Sequence, residues 1–211
     1  MNSGPKKTLV VFAHPVENSW GASLAETAIA ARRERGDEVR VLDLYRSGFV
    51  PTMSCEDWRA RNDPAYVTAV LGEHVEMLRW ADSLVLVYPT WFGAQPAILK
   101  GWFDRLWVSG VAFSLKPDGS GITGLLRNVR EIVVVTTHGS SRSSNAFGGE
   151  PGKRLVKRGL RVLCHPLCRV RWVAFYGNDT AAPALRVAFT QRVSTRLQRA
   201  GLRRPRTTVS R

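Results

Sequence analysis

Two short stretches of this chain carry residue types that bind ligands as readily as they fill a core. The first, His14-Pro-Val-Glu-Asn-Ser-Trp-Gly-Ala-Ser23, follows an apolar run and precedes a helical pattern. His14, Asn18 and Ser19, with the backbone at Trp20, stand before a helix N-terminus. Free N–H groups and the helix dipole at such a place attract an anion, phosphate above all. The second stretch is Pro89-Thr-Trp-Phe-Gly-Ala-Gln95. Trp91 and Phe92 offer ring faces to a flat ligand, and Gly93 lets the backbone turn or approach closely. Residue types alone leave other roles open: His14 could cap a strand end, and Trp91 and Phe92 could pack in a core or an interface.

The elements around these stretches have a regular order. Residues 8–13 form a continuous apolar run, read as a buried first strand. Leu24, Ala28 and Ala31 then share a helix face that Gly36 ends. Residues 38–43 alternate as a second strand, which completes a right-handed βαβ unit. Residues 44–62 read as irregular, and Asp63-Pro64 starts a helix to Trp80, with Asp as cap and Pro just inside. A third strand at 83–88 leads through the aromatic loop into a helix whose first turn holds Pro96. Ile98, Leu99, Trp102, Phe103 and Leu106 line its apolar face. Residues 111–115 and the turn 116–119 read as a hairpin arm, 130–137 as a fourth strand and 138–151 as a loop. Helical character is expected over 153–163, a fifth strand near an edge over 169–176, and a last helix over 181–200. The reading is α/β: a doubly wound, five-stranded parallel sheet of order 2-1-3-4-5 with helices on both faces. Residues 1–200 form a single domain in this reading, and 201–211 a basic tail.

The wording of one segment goes further. Pro89-Thr-Trp-Phe-Gly-x-x-Pro-Ala-Ile-Leu-Lys-Gly-Trp-Phe-Asp-Arg105 closely resembles the isoalloxazine-binding segment of the flavodoxin-like NAD(P)H:quinone oxidoreductase family. The resemblance is dense there and thinner over the rest of 8–176. It implies FMN, or FAD, as cofactor and NAD(P)H as electron donor. Hydride would pass through the flavin N5 to a quinone or similar flat acceptor in a ping-pong cycle. It assigns phosphate binding to His14, Asn18, Ser19 and the Trp20 backbone, and the ring platform to Pro89, Thr90, Trp91, Phe92 and Gly93. Thr136, Thr137, His138 and Gly139 are similar to a Thr-Thr-Gly-Gly segment on the pyrimidine side of the ring, with His138 in place of the first glycine. His138 is thereby a candidate for contact with the flavin or the substrate. Well-known members carry a tyrosine and a histidine that relay charge; gapless counting finds Ser144 and Glu150 instead. The family also implies a homodimer, with Trp58, Trp80 and Trp107 available to an interface.

Composition narrows the alternatives. The polar residues 1–7 lack the pattern of a secretory signal, and no apolar run reaches the roughly 20 residues of a membrane helix, so a cytoplasmic protein without membrane insertion is expected. Three cysteines without a framework spacing suit reduced thiols. Cys164, His165 and Cys168 lack a second ligand pair at zinc spacing, so no metal is expected. A net charge of +14 predicts weak, salt-sensitive attraction to polyanions but comes with no nucleic-acid motif. Neither G-x-G-x-x-G nor a Walker sequence occurs. Two alternatives within the fold stand beside the enzyme reading: a flavodoxin-type electron carrier, disfavoured by the basic charge, and a flavoprotein regulatory subunit docking on a potassium-efflux system.

Overall fold

The computed structural model describes residues 6–199, so the 201–211 tail lies outside the described residues. Seven strands follow in chain order: β1 (Lys7–Phe12), β2 (Glu38–Asp43), β3 (Ser83–Pro89), β4 (Phe113–Leu115), β5 (Ile122–Gly124), β6 (Glu131–Thr137) and β7 (Arg169–Phe175). Five of them form one parallel sheet in the order β2-β1-β3-β6-β7, the expected 2-1-3-4-5 once the separate β4–β5 hairpin is left out of the count. The helices are α1 (Trp20–Glu34), α2 (Cys55–Ala60), α3 (Pro64–Trp80), α4 (Ala97–Leu106), α5 (Arg142–Phe147), α6 (Pro151–Arg154) and α7 (Pro183–Gln198).

Strand periodicity divides the core into two layers. Leu9, Leu84, Leu86, Ile132 and Val134 point to one face, where α3 and α4 cover them. Val10, Phe12, Val85, Val87, Val133 and Val135 point to the other, under α1 and α7. Both faces of β1, β3 and β6 are therefore buried, which is why their sequences are apolar runs and not alternations. The edge strands β2 and β7 carry Arg40, Arg169 and Arg171. Among the described residues, no helix is long and apolar enough to cross a membrane.

Several local expectations need correction. Helix α1 starts at Trp20, inside the segment read as a loop to Ser23, because Ser19 Oγ accepts from Ala22 N at 3.1 Å and caps the first turn. Residues 44–62 are not wholly irregular: Ser54 and Asp57 form a reciprocal capping box that starts α2. The 138–151 loop contains α5, capped by Ser141. Residues 153–163 are not one regular helix; α6 runs into a π turn, Leu155–Leu160, and a 3-10 turn, Arg161–Leu163, which together bring Val156, Leu160 and Leu163 into the core. Pro96 precedes α4 as its N-cap with extended backbone and lies outside its first turn. Trp58 is exposed, whereas Trp80 and Trp107 are half-buried against the core.

At the amino ends of the strands a buried charge cluster joins α1 to β6 and β7. Arg32 of α1 is 0% exposed and donates to Glu131 Oε2 at 2.9 Å, with Asp37 at 3.5 Å. Arg171 Nε reaches Glu131 Oε1 at 3.2 Å, and Ser83 Oγ donates to Glu131 Oε2 at 3.2 Å. Burial pushes the Glu131 pKa up, but Arg32, Lys6 and Arg171 together outweigh it and hold the carboxyl below its ordinary 4.5. A lowered carboxylate stabilises the fold fully above its unfolded pKa and loses that contribution as pH falls through the folded value. Arg32→Leu is expected to cost about 3 kcal/mol, since it strands a buried charge. It should also shrink the acid-side loss of stability, read as urea midpoints at neutral and acid pH.

Candidate functional site

The carboxyl ends of β1, β3 and β6 lie side by side, at the switch point where ligands bind in open α/β sheets. Backbone bonds continue the sheet into the loops: Ala13 N donates to Val87 O at 3.0 Å and Thr90 N to Thr137 O at 2.7 Å. Three loops are thereby fixed beside one another.

The first runs from Ala13 to the cap of α1. His14 Nδ1 lies 3.0 Å from Val16 N and 3.2 Å from Val16 O, so this ring nitrogen is held by the backbone of its own loop. Ser19 Oγ takes the Ala22 N–H and keeps its own hydroxyl proton to give. The N–H groups of Trp20 and Gly21 open the helix with no acceptor among the described residues. A Cβ at Gly21 would press on His14 Cδ2 at 3.1 Å, so glycine lets the imidazole lie close against the helix start. The Trp20 side chain faces away: its Nε1 donates to Thr190 Oγ1 at 3.2 Å, and its ring meets Phe175 edge-on at 5.0 Å. Asn18 is exposed at the loop rim.

The second loop is a tight turn. Trp91 N donates to Ala94 O at 3.0 Å and Ala94 N to Trp91 O at 3.1 Å. Phe92 and Gly93 between them both have positive φ, 48° and 81°, the pattern of a type I′ turn. Trp91's N–H is consumed inside the turn, which leaves those of Phe92 and Gly93 as donors. Phe92 projects fully into solvent and Trp91 is exposed beside it. Pro89 and Thr90 are half-buried at the strand end. Behind the turn, buried Gln95 donates to Tyr88 Oη at 3.1 Å and to Gly152 O at 2.9 Å, which ties this loop to the third.

In the third loop Thr136 is buried, and its hydroxyl meets Thr90 Oγ1 at 2.9 Å. Thr137 ends β6 half-buried, and Gly139 lies against the Asp179 carboxylate. His138 is 4% exposed. Asn145 spends its amide N–H groups on Ser140 and Ser141, so its Oδ1 accepts from His138 Nδ1 at 2.8 Å. His138 Nε2 is then the acceptor for the Thr90 hydroxyl at 3.4 Å. Burial holds the His138 pKa below its ordinary 6.5, so the ring is neutral near pH 7. Its face stacks on Tyr176 at 4.5 Å. Tyr176 in turn donates to Glu150 Oε1 at 2.9 Å, and Lys153 pairs with Glu150 Oε2. Glu150 is itself strained, at φ 46° and ψ 56°.

All the residues singled out in sequence thus lie on three adjoining loops. His138 bridges Thr90 and Asn145 from behind them and is largely shielded from solvent. Reading residue types missed Gly21, Gln95, Asn145 and Tyr176. Their importance comes from partners 7 to 57 positions away, apart from Asn145's short helix, which the Ser141 cap announces. Among the described residues no three His, Cys, Asp or Glu side chains are placed to hold a metal ion. The Cys164 and Cys168 thiols are buried against each other.

A family described as having a flavodoxin-like fold matches residues 6–196. A fungal protein from Penicillium crustosum, called ribosyldihydronicotinamide dehydrogenase-like protein traD, is 32% identical over 165 residues, 67% of this chain and 61% of its own length. An uncharacterized NAD(P)H oxidoreductase of Haemophilus influenzae is 33% identical over 141 residues, 66% of this chain and 68% of its own. The match thus spans about three fifths of the fungal relative. Among solved structures, Smu.1420 from Streptococcus mutans superposes with a TM-score of 0.79 at 26% identity, over 90% of this chain and 98% of its own.

Two substitutions test how the loops are held. His138→Ala leaves the half-buried Asn145 Oδ1 without its donor and is expected to cost about 1 kcal/mol. In the unsubstituted chain a lowered histidine pKa means that the loop's stability is complete above about pH 6.5 and declines as pH falls through the folded value. Amide protection factors of residues 138–150, corrected for the intrinsic pH dependence of exchange, should therefore fall on mild acidification, and that fall should vanish in His138→Ala. Phe92→Gly relieves the positive φ and should raise the thermal midpoint slightly while removing the exposed ring.

Proposed function

This chain belongs to the flavodoxin-like family, and on that premise we propose that it is a flavin-dependent NAD(P)H oxidoreductase. It would pass two electrons to a quinone or a similar flat acceptor. The observation that carries the reading is the meeting, at one end of the sheet, of a donor-rich helix N-terminus and a turn bearing two exposed aromatics.

The residues present fit a flavin mononucleotide. The first turn of α1 offers the Trp20 and Gly21 N–H groups and the Ser19 hydroxyl, with the His14 imidazole and the Asn18 amide nearby, groups suited to one phosphate. The glycine at 21 keeps this cradle open, since a Cβ there would fill it against His14. The donors stand at a single helix terminus, which favours FMN over FAD. The Phe92 and Gly93 N–H groups are available to polar edges of the ring system, and Thr136 and Thr137 bound its other side. When bound, the flavin supplies the centre that takes and returns two electrons.

This chain's own groups bind and orient. Trp91, with Phe92 beside it, gives NAD(P)H and the acceptor a common stacking surface that both visit in turn, and shields the reacting face from water. His138 positions Thr90 through its Nε2 and holds α5 through its Nδ1. Glu150 occupies the position counted for the relay histidine of better-known relatives, and it holds the Tyr176 phenol in place. Burial, then Glu150, raises the Tyr176 pKa, so the phenol keeps its proton at neutral pH. A homodimer belongs to the same proposal, supported by exposed Leu115 and Ile122 on the hairpin and Trp58 on α2, and sedimentation velocity measures it.

The purified protein is expected to show flavin absorbance that NADPH bleaches without oxygen and a quinone restores. A colourless chain that takes up neither FMN nor FAD would overturn the reading. Ser19→Ala and His14→Ala should each weaken FMN binding about tenfold, read by fluorescence quenching on titration. Trp91→Ala should leave FMN affinity close to unchanged and raise the KM for the acceptor.

A further inference from the structure

The amino ends of the strands, about 20 Å from the carboxyl ends by strand rise over the seven residues of β6, carry a surface of different character. The segment between Cys164 and Cys168 protrudes there as a short knuckle. Two arginines from separate elements clasp its carbonyls: Arg127 Nη1 donates to Cys164 O at 3.1 Å, and Arg161 to Cys168 O at 2.9 Å and Pro166 O at 3.3 Å. Inside it, Leu167 N donates to His165 Nδ1 at 3.1 Å, and Cys168 N to His165 O at 2.7 Å. A loop held this firmly presents its outermost side chain at little entropic cost. That side chain is Leu167, 76% exposed, with Val162 also open to solvent nearby in the chain.

Cations flank the knuckle. Arg127, Arg130, Arg161 and Arg169 are all exposed; the Arg127 and Arg161 side chains bind its carbonyls, and Arg169, next in the chain to Cys168, donates its N–H to Arg130 O at 3.0 Å. Glu131, next in the chain to Arg130, faces inward and is already shared by Arg32, Lys6 and Arg171. Asp82, whose carbonyl accepts from Arg130 N at 2.8 Å, makes no ion pair with Arg130 or Arg169, so the outward charge stays open.

We infer that this arginine-ringed knuckle is a peripheral docking surface for an anionic lipid bilayer, with Leu167 entering the headgroup region. Charge complementarity draws the pole to acidic headgroups, and an apolar tip amid cations matches the layering of a membrane interface. A nucleic acid is the poorer match. Binding of its single strands uses stacking aromatics, and the exposed aromatics among the described residues, Trp58, Trp91, Phe92 and Phe147, lie on α2 or at the opposite end of the sheet. The docked orientation leaves the three-loop site facing away from the bilayer, open to soluble reactants.

The full chain tests this in co-sedimentation with vesicles of phosphatidylcholine, alone or mixed with phosphatidylglycerol. Binding should require phosphatidylglycerol and fall as salt rises. Replacing both outer arginines, Arg130→Gln with Arg169→Gln, should weaken it on the order of twentyfold. The control pair Arg130→Lys with Arg169→Lys should retain it. Leu167→Asp should weaken binding roughly tenfold while thermal unfolding stays unchanged. Equal binding to neutral vesicles, or unaltered binding by the Gln pair, would overturn the inference. So would duplex DNA that displaces the protein from vesicles and holds Leu167→Asp as tightly as the unsubstituted chain, which would make this a polyanion face.

Discussion

Parallel pairing is the constraint on which this molecule depends. Once β1 joins β2 and β3, and β3 joins β6, each return of the chain must cross the sheet through a helix. Helices then cover both faces, so the central strands must be apolar throughout. All five carboxyl ends fall on one edge. The loops that leave β1, β3 and β6 have nowhere else to go, and a single ligand can touch all three. The site is a consequence of strand direction before it is a consequence of any side chain.

Given that placement, the loops are made stiff in different ways. The first is held by a helix cap and by an imidazole bound to its own backbone. The second closes on itself through the Trp91–Ala94 pair and accepts a left-handed phenylalanine as the cost. The third is latched from behind by neutral His138 and buttressed by Tyr176, Glu150 and Lys153. Both non-glycine residues with positive φ among the described residues, Phe92 and Glu150, belong to this site. Strain of this kind persists only where the surroundings over-determine it, as Gln95 does by joining the two loops through Gly152.

The opposite end of the sheet solves another problem. There α1 meets β6 through Arg32 and Glu131, and the two buried charges are paired across 99 positions of sequence. That inner cluster uses up the carboxylates nearest to it, so the arginines outside it keep their charge for solvent or for a partner. One end of the molecule thus gathers three loops with free backbone donors and exposed aromatics, and the other gathers exposed arginines.

Much was legible in the sequence because short-range physics wrote it there. Apolar runs mark β1, β3 and β6, Asp63-Pro64 marks the start of α3, and the Pro89–Arg105 wording marks the aromatic turn and the helix behind it. Short helices escaped because their caps are brief: the Ser54–Asp57 box could have revealed α2, and Ser141 could have revealed α5. His138 shows the limit most plainly. Its type and position made it a candidate for touching the flavin or the substrate, yet its neighbours turn it into a buried strut between Thr90 and Asn145. The sequence by itself determined which segments are strands, the helix faces and the three loops, because each follows from periodicity and turn chemistry within a few residues. Only the tertiary structure decided which N–H groups stay free, how His138 is turned between Thr90 and Asn145, and which arginines remain unpaired. Those depend on partners brought together by the sheet, and no local pattern encodes them.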